Sequence, residues 1–247
     1  MIMSKKLEAL DAQIFFTSVN HGLPGLFRED RRRIRLKLVQ KLVASMSDSD
    51  ISGIRFPPYD DSDFDIQSNC LGKPKLKIRN GVEFAISFSY GPGRVWAAAT
   101  HGNTNCGIDV AFPLEFLSPY PLERAFGVNE LGFLHSVYEL SEPEAACFIW
   151  SAKESIVKAL GTGYNLCEPL DLLLTGVQSD GDYFQSRFLI SPKLKSKLGI
   201  SRTSRIETVT LREGDGFLSL SGAKGIESDH RIARYNSAGA GTIGLRQ

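Results

Sequence analysis

Apolar positions along this 247-residue chain recur at helical spacing in two stretches and at strand spacing in several others. From Glu29 to Met46, Ile34, Leu38, Val39, Leu42, Val43 and Met46 gather on one broad face, with Arg33, Lys37, Gln40 and Lys41 opposite. Residues 126–160 carry a helical pattern and are read as two helices. The second opens on a capping box, Ser141 followed by Glu144, with Pro143 tolerated in the first turn and Gly161 supplying the stop. Between the two stretches, Val82, Phe84, Ile86, Phe88 and Tyr90 alternate with Glu83, Ala85, Ser87 and Ser89, which predicts a strand over 82–90. GPG at 91–93 turns the chain into RVWAAAT, and HGNTN leads on to a third strand, CGIDVAF, at 106–112. These connections are short, which favours antiparallel pairing. Further strand-like runs lie at 170–177, 183–190, 205–211, 216–222 and 230–235. Residues 57–69 are turn-rich and acidic and read as a surface loop, and the small-residue tail after Tyr235 reads as disordered.

Helix then strands, helix then strands, without a regular βαβ alternation, predicts an α+β fold. Two halves of similar architecture, 1–105 and 106–247, are expected to meet near residue 105. Composition agrees with a soluble globular protein: 42% hydrophobic, 23% charged, net charge +1. No apolar run reaches membrane-spanning length, and the N-terminus lacks the apolar stretch and cleavage site of a signal peptide. Cys70, Cys106, Cys147 and Cys167 are too widely spaced for a zinc site and read as reduced thiols, so a cytoplasmic location is expected. A charge near zero argues against a nucleic-acid partner, although residues 28–41 hold seven Lys/Arg against two acids.

Two polar features stand out from this frame. Glu154 and Lys158 sit opposite the apolar face of the second helix, with Trp150 and Ser151 beside them. The ordinary reading is a solvated face with one i,i+4 pair. Asp109, however, interrupts a strand between Ile108 and Val110, where an unpaired buried carboxylate is costly. Two acids from separate elements, with a lysine one helical turn from the second, suit magnesium-assisted pyrophosphate chemistry. Magnesium takes one or two protein carboxylates and completes its shell with waters and phosphate oxygens.

These residues stand in a known pattern. GIDV at 107–110 and WSAKESIVK at 150–158, running on into GTG, resemble the paired motifs of the surfactin-type 4'-phosphopantetheinyl transferases. GKP at 72–74, FAISFS at 84–89 and FGVNE at 126–130 match weaker family segments in the proper order. The resemblance implies a pseudo-dimer, each half a small mainly antiparallel sheet packed with a helix, with the active site in the cleft between them. It implies a holo-[acyl-carrier-protein] synthase activity: the 4'-phosphopantetheine arm of coenzyme A moves to a serine of an apo acyl or peptidyl carrier protein, and adenosine 3',5'-bisphosphate is released. Such carriers serve fatty-acid, polyketide or nonribosomal-peptide synthesis. Asp109 and Glu154 would hold magnesium with the pyrophosphate, and Glu154 would also serve as base for the carrier serine. Lys158 would meet the leaving bisphosphate, and Glu130 would stand at the edge of the metal site. Lys73 and Ser87, with Arg33 and Phe88 as further contacts, would hold the nucleotide end of coenzyme A in the first half. With both halves in one chain, a monomer is expected. Two positions depart from the family: Ala111 replaces a third metal-binding Glu, and Phe88 replaces a histidine. They keep open an alternative, a non-catalytic homologue that binds coenzyme A or a carrier protein.

Overall fold

Alternation along strand β5 (Glu83–Gly91) decides how the molecule is layered. Phe84, Ile86 and Phe88 turn to one side and join Leu38, Leu42 and Met46 of helix α1 (Arg28–Asp48) in one apolar cluster. Ser87 and Ser89 turn to the other side, toward strand β7 (Thr104–Ala111). The computed structural model describes residues 2–7, 10, 12–21, 28–48, 63–69, 71–79, 81–117, 119–201 and 203–226. Among these residues there are two antiparallel sheets. One runs from edge to edge as β1 (Ile2–Leu7), β2 (Ala12–Asn20), β6 (Arg94–His101), β5, β4 (Pro74–Ile78) and β3 (Phe64–Ser68). The other runs as β7, β11 (Gly216–Lys224), β10 (Arg205–Glu213), β9 (Tyr183–Ile190) and β8 (Leu172–Asp180).

Helix α1 covers the outer face of the first sheet, and helix α3 (Glu142–Leu160) covers that of the second; α2 (Glu130–Tyr138) packs beside α3. The inner faces of the two sheets meet through Ile14, Phe16, Trp96 and Ala98 on one side and Ile108, Val110, Leu218 and Leu220 on the other. The layers therefore run helix, sheet, sheet, helix, an α+β fold of two halves. No helix among the described residues is long and apolar enough to cross a membrane.

The expected helix over 29–46 and the strands around 82–90, 106–112, 183–190, 205–211 and 216–222 fall within two residues of α1, β5, β7, β9, β10 and β11. Other segments differ. Residues 64–68, read as loop, form edge strand β3, because half-buried Phe64 and Ile66 alternate with Asp65 and Gln67 against β4. The N-terminal residues contribute two strands, β1 and β2, that composition does not announce: charged Lys5 and Lys6 lie on the outer strand of the sheet. A short helix, α4 (Pro192–Leu198), follows β9; Ser191 accepts the Leu194 amide at its start and Gly199 ends it in the left-handed region. The strand expected at 230–235, the tail, Cys70 and residues 57–62 lie outside the described residues.

Candidate active site

Helix α3 is positioned from both ends. Glu144 accepts the Ser141 amide and hydroxyl at 3.0 and 2.7 Å, and those two bonds pull its carboxyl below the usual range. Gly161 closes the helix at φ 75°, its amide donating to Val157 and Lys158 carbonyls. The helix then lies almost on the backbone of β7. A Cβ on Gly107 would stand 1.9 Å from the Ser155 carbonyl oxygen and 2.7 Å from the Ala159 nitrogen, so the first letter of GIDV is a contact requirement.

This close packing leaves little of α3 open. From Ala145 to Leu160 every residue is buried except Trp150, Glu154 and Lys158, a single stripe at i, i+4, i+8. Ser151 does not share it. Its hydroxyl is fully buried, 2.8 Å from Ser219 Oγ and donating to the Phe148 carbonyl, and Ser155 pairs with Ser221 in the same way. The expected Glu154–Lys158 pair is also not the contact made. Lys158 reaches off the helix and donates to Asp109 Oδ1 at 2.6 Å and to the Ile108 carbonyl at 3.2 Å.

Asp109 is 7% exposed. As β7 is the outermost strand of its sheet, the amides on its free side need partners from elsewhere. Ser87 and Ser89 of β5 supply them, accepting from the Ile108 and Val110 amides at 3.1 Å each. The Ser89 hydroxyl in turn donates a hydrogen bond to Asp109 Oδ1 at 2.9 Å. Burial pushes the Asp109 carboxyl up, against the opposing pull of Lys158 and of these hydrogen bonds. Glu154 is half-buried, and its carboxylate has no hydrogen bond or ion pair among the described residues. Burial first, then the field of Asp109, push it up to about 7, with Lys158 opposing. Glu115 and Tyr120 feel the same negative field. Around the stripe, Trp150 sits in an aromatic wall with Phe116, Tyr120, Phe126 and Tyr164.

The other candidate residues lie apart from this group. Glu130 is 4% exposed and fully engaged: Oε2 accepts the Lys153 ammonium at 2.8 Å and the Gly127 amide at 2.5 Å, and Oε1 accepts the Leu174 amide at 2.6 Å. Lys153 itself has no exposure and also donates to the Ala125 carbonyl at 2.9 Å. Desolvation lowers its pKa while Glu130 opposes; through the Lys153 and Leu174 contacts of Glu130 the pair joins α2, α3 and β8. Lys73 donates to the Ala159 carbonyl at 2.8 Å, at the negative end of α3, and so ties the first half to the second. Ser87 is committed to the Ile108 amide. Phe88 is in the core beneath α1, on the face of β5 away from Asp109. Arg33 has a side chain 70% exposed and pairs with Asp30 at 3.5 Å. The guanidinium groups that do reach β5 are those of Arg31 over Tyr90 and Arg35 over Phe88 and Tyr90, with Arg35 Nε donating to the Tyr90 hydroxyl. The i,i+4 spacing of Arg31 and Arg35 was a signal for this pair; Ser89 and Tyr164 had none beyond their neighbours.

Chemically, the group offers two hard carboxylates, one of them with its pKa raised to about 7, and an ammonium held on the other. Residues 105–207 match the family model of the 4'-phosphopantetheinyl transferase superfamily. That match covers less than half of the chain and contains Asp109, Glu154 and Lys158. Among solved structures, the Chronobacterium ammoniagenes ACPS–CoA complex is 17% identical, with a TM-score of 0.37, over 50% of this chain and 98% of that one. The apo-ACPS structure from the same source is 18% identical, with a TM-score of 0.35, over 49% and 95%. No curated protein matches the chain.

The donor set fits magnesium. Among the described residues no three acids, histidines or cysteines cluster as a full protein cage. Asp109 and Glu154 would supply the one or two carboxylates that magnesium takes, and their mutual repulsion is of the kind a dication relieves. Ala111, on the α3 side of β7 with Asp109, presents only a buried methyl group.

Proposed function

We propose that this protein is a surfactin-type 4'-phosphopantetheinyl transferase, moving the phosphopantetheine arm of coenzyme A to a serine hydroxyl of an apo acyl or peptidyl carrier protein. The observation that carries the reading is the convergence of Asp109, Glu154 and Lys158, from β7 and the single open stripe of α3, inside the segment that matches the superfamily. Asp109 and Glu154 would hold magnesium, which neutralises pyrophosphate charge when bound.

The remaining steps belong to the chain's own side chains. Ser89 fixes one oxygen of Asp109 and so orients the carboxylate. Glu154, its pKa raised to about 7 by burial and by Asp109, takes in its ionised form the proton of the carrier serine, which is a poor nucleophile until it is deprotonated. The Lys158 ammonium, already at the site on Asp109, meets the leaving adenosine 3',5'-bisphosphate as donor and counter-charge. The Glu130–Lys153 pair acts one layer behind, holding α3 in place. For the nucleotide end we keep the exposed guanidinium of Arg33 on α1 as the anion contact; Arg31 and Arg35 lie against Tyr90 and Phe88, on the face of β5 away from Asp109. Lys73 acts at the nucleotide end through the C-terminus of α3. Since one chain supplies both halves of the cleft, the working unit is a monomer, and the buried free thiols Cys106, Cys147 and Cys167 suit the cytoplasm.

The test is an intact-mass measurement of an apo carrier protein incubated with this protein, coenzyme A and magnesium. The expected result is a carrier heavier by one phosphopantetheine arm. Stoichiometric binding of coenzyme A or carrier without a mass gain selects the non-catalytic homologue that Ala111 and Phe88 keep open.

A further inference from the structure

Helix α3 ends in a way that its own residues do not complete. The last carbonyls of a helix lack partners within it. Here the Val157 and Lys158 carbonyls are taken locally, by the Gly161 amide and by Thr162. The Ala159 carbonyl is taken by Lys73, which arrives from the other half of the molecule and donates at 2.8 Å. The first half thus caps the helix of the second.

The loop before β4 is built to deliver that lysine. Asn69 Oδ1 accepts the Leu71 and Lys73 amides at 3.0 and 2.9 Å, and the Asn69 amide donates to the Lys73 carbonyl at 3.0 Å. On the receiving side the chain turns at Gly161, where a Cβ would stand 2.7 Å from Lys73 Cδ, so a glycine lets the turn close over the lysine stem. Lys73 is 9% exposed, and its ammonium could turn to a phosphate only by abandoning the carbonyl of buried Ala159.

The capped turn carries Lys158. Ala159, the next residue, is met from two sides: Gly107 of β7 lies under its nitrogen and Lys73 holds its oxygen. From this backbone the Lys158 side chain leaves the helix and reaches Asp109 Oδ1 at 2.6 Å. We propose that Lys73 is a positioning residue for the transfer: by holding the last turn of α3 from the first half, it sets the place from which Lys158 meets the leaving bisphosphate. This rests on the function proposed above, and it makes Lys73 act through the helix instead of on the nucleotide.

The experiment measures transfer kinetics per folded molecule for wild type, Lys73→Met, Lys158→Ala and the double variant, with coenzyme A and with dephospho-coenzyme A. Lys73→Met should lower kcat by about 10–10²-fold, the scale of a displaced reacting group, with KM for both donors unchanged. In the Lys158→Ala background the same change should cost little more, since both act on one group. An unchanged kcat, a full further loss in the double variant, or a rise in KM confined to coenzyme A overturns the proposal; the last would make Lys73 a direct contact of the 3'-phosphate. A second readout needs no transfer. Amine labelling followed by peptide mass should show Lys158 modified faster in Lys73→Met than in wild type, and an equal rate in a folded variant overturns the proposal whether or not the chain is a transferase. Faster labelling beside a wild type that moves no arm overturns the transferase reading and leaves the hold of Lys73 on the Lys158 turn standing. Where Lys73→Met does not fold, Asn69→Ala frees the Leu71 and Lys73 amides and keeps the lysine; it should shift kcat and labelling in the same direction, and no shift overturns the proposal.

Discussion

Lys153→Met is the perturbation whose consequence the structure fixes most tightly. The side chain has no exposure, and its ammonium is the only cation on Glu130 among the described residues. Methionine fills a similar volume but leaves the Glu130 carboxylate buried with two backbone amides and no counter-charge, and it frees the Ala125 carbonyl as well. Breaking a buried pair by removing one partner costs about 3–5 kcal/mol. For a chain of this size each kcal/mol shifts the unfolding midpoint by roughly 2–4 °C, so a fall of about 6–20 °C is expected. Glu130→Gln added to Lys153→Met removes the orphaned charge, and the two changes should show a coupling of about 1–3 kcal/mol. Thermal unfolding of the four proteins of the cycle is the assay. Transfer activity per folded molecule, taken well below each midpoint, separates two roles for Glu130. If the pair only positions α3, the double variant regains most of its turnover with its stability. If Glu130 works at the metal site, as the sequence resemblance implies, stability returns without turnover. A loss below about 1 kcal/mol for Lys153→Met would refute the reasoning, because a buried charge without its cation cannot be that cheap.

Glu154→Gln should keep the fold and slow transfer by about 10²–10⁴-fold, the usual scale for losing a general base, measured by carrier mass against time. The same residue sets a pH effect: its folded pKa, about 7, lies above the unfolded value, so the folded state holds the extra proton and stability falls as pH rises from about 4.5 to 7. Without added divalent ion, wild type should lose on the order of 3 kcal/mol across that window through this group, and Glu154→Gln should show a correspondingly flatter profile. Gly107→Ala places a methyl against backbone atoms of α3 that have no rotamer to yield, and should cost at least about 1–3 kcal/mol in denaturant unfolding; a neutral result would show that the helix is free to move. Arg33→Ala should weaken coenzyme A while affecting dephospho-coenzyme A less; calorimetry with both donors checks it, and equal losses would place Arg33 away from the nucleotide end.

Much of the fold was legible because its elements obey simple periods. The 3.6-residue repeat of α1 and α3, the Ser141–Glu144 cap, the Gly161 stop and the strict alternation of β5 all act locally, so the sequence displays them. Strands β1 and β2 are less legible: β1 pairs only with β2, and the other partner of β2, β6, lies far along the chain. Helix α4 does not stand out in the sequence although Ser191, Pro192 and Gly199 mark both its ends, because seven residues span only about two turns of the helical period. The candidate site divides in the same way. Asp109 betrays itself as a charge within an apolar strand, and Glu154 and Lys158 as charges one turn apart opposite the apolar face of α3. Lys153 does not: a lysine beside a glutamate on a helix reads as solvated, and only the packing of α2 and β8 around it makes it a core residue. Likewise, Ser87 and Phe88 are neighbours in sequence but fall on opposite faces of β5, so a segment that reads as one nucleotide-binding run is divided between a weld to β7 and the core under α1.

The central claim is that Asp109, Glu154 and Lys158 form one phosphopantetheinyl-transfer site. It is tested most directly by quantifying both products of a single reaction, modified carrier by intact mass and adenosine 3',5'-bisphosphate by chromatography, with wild type and with Asp109→Asn. The account predicts equal amounts of the two products from wild type, dependent on magnesium, and the loss of both in the variant. Free bisphosphate without modified carrier, or an Asp109→Asn protein that modifies the carrier at the wild-type rate, would contradict it.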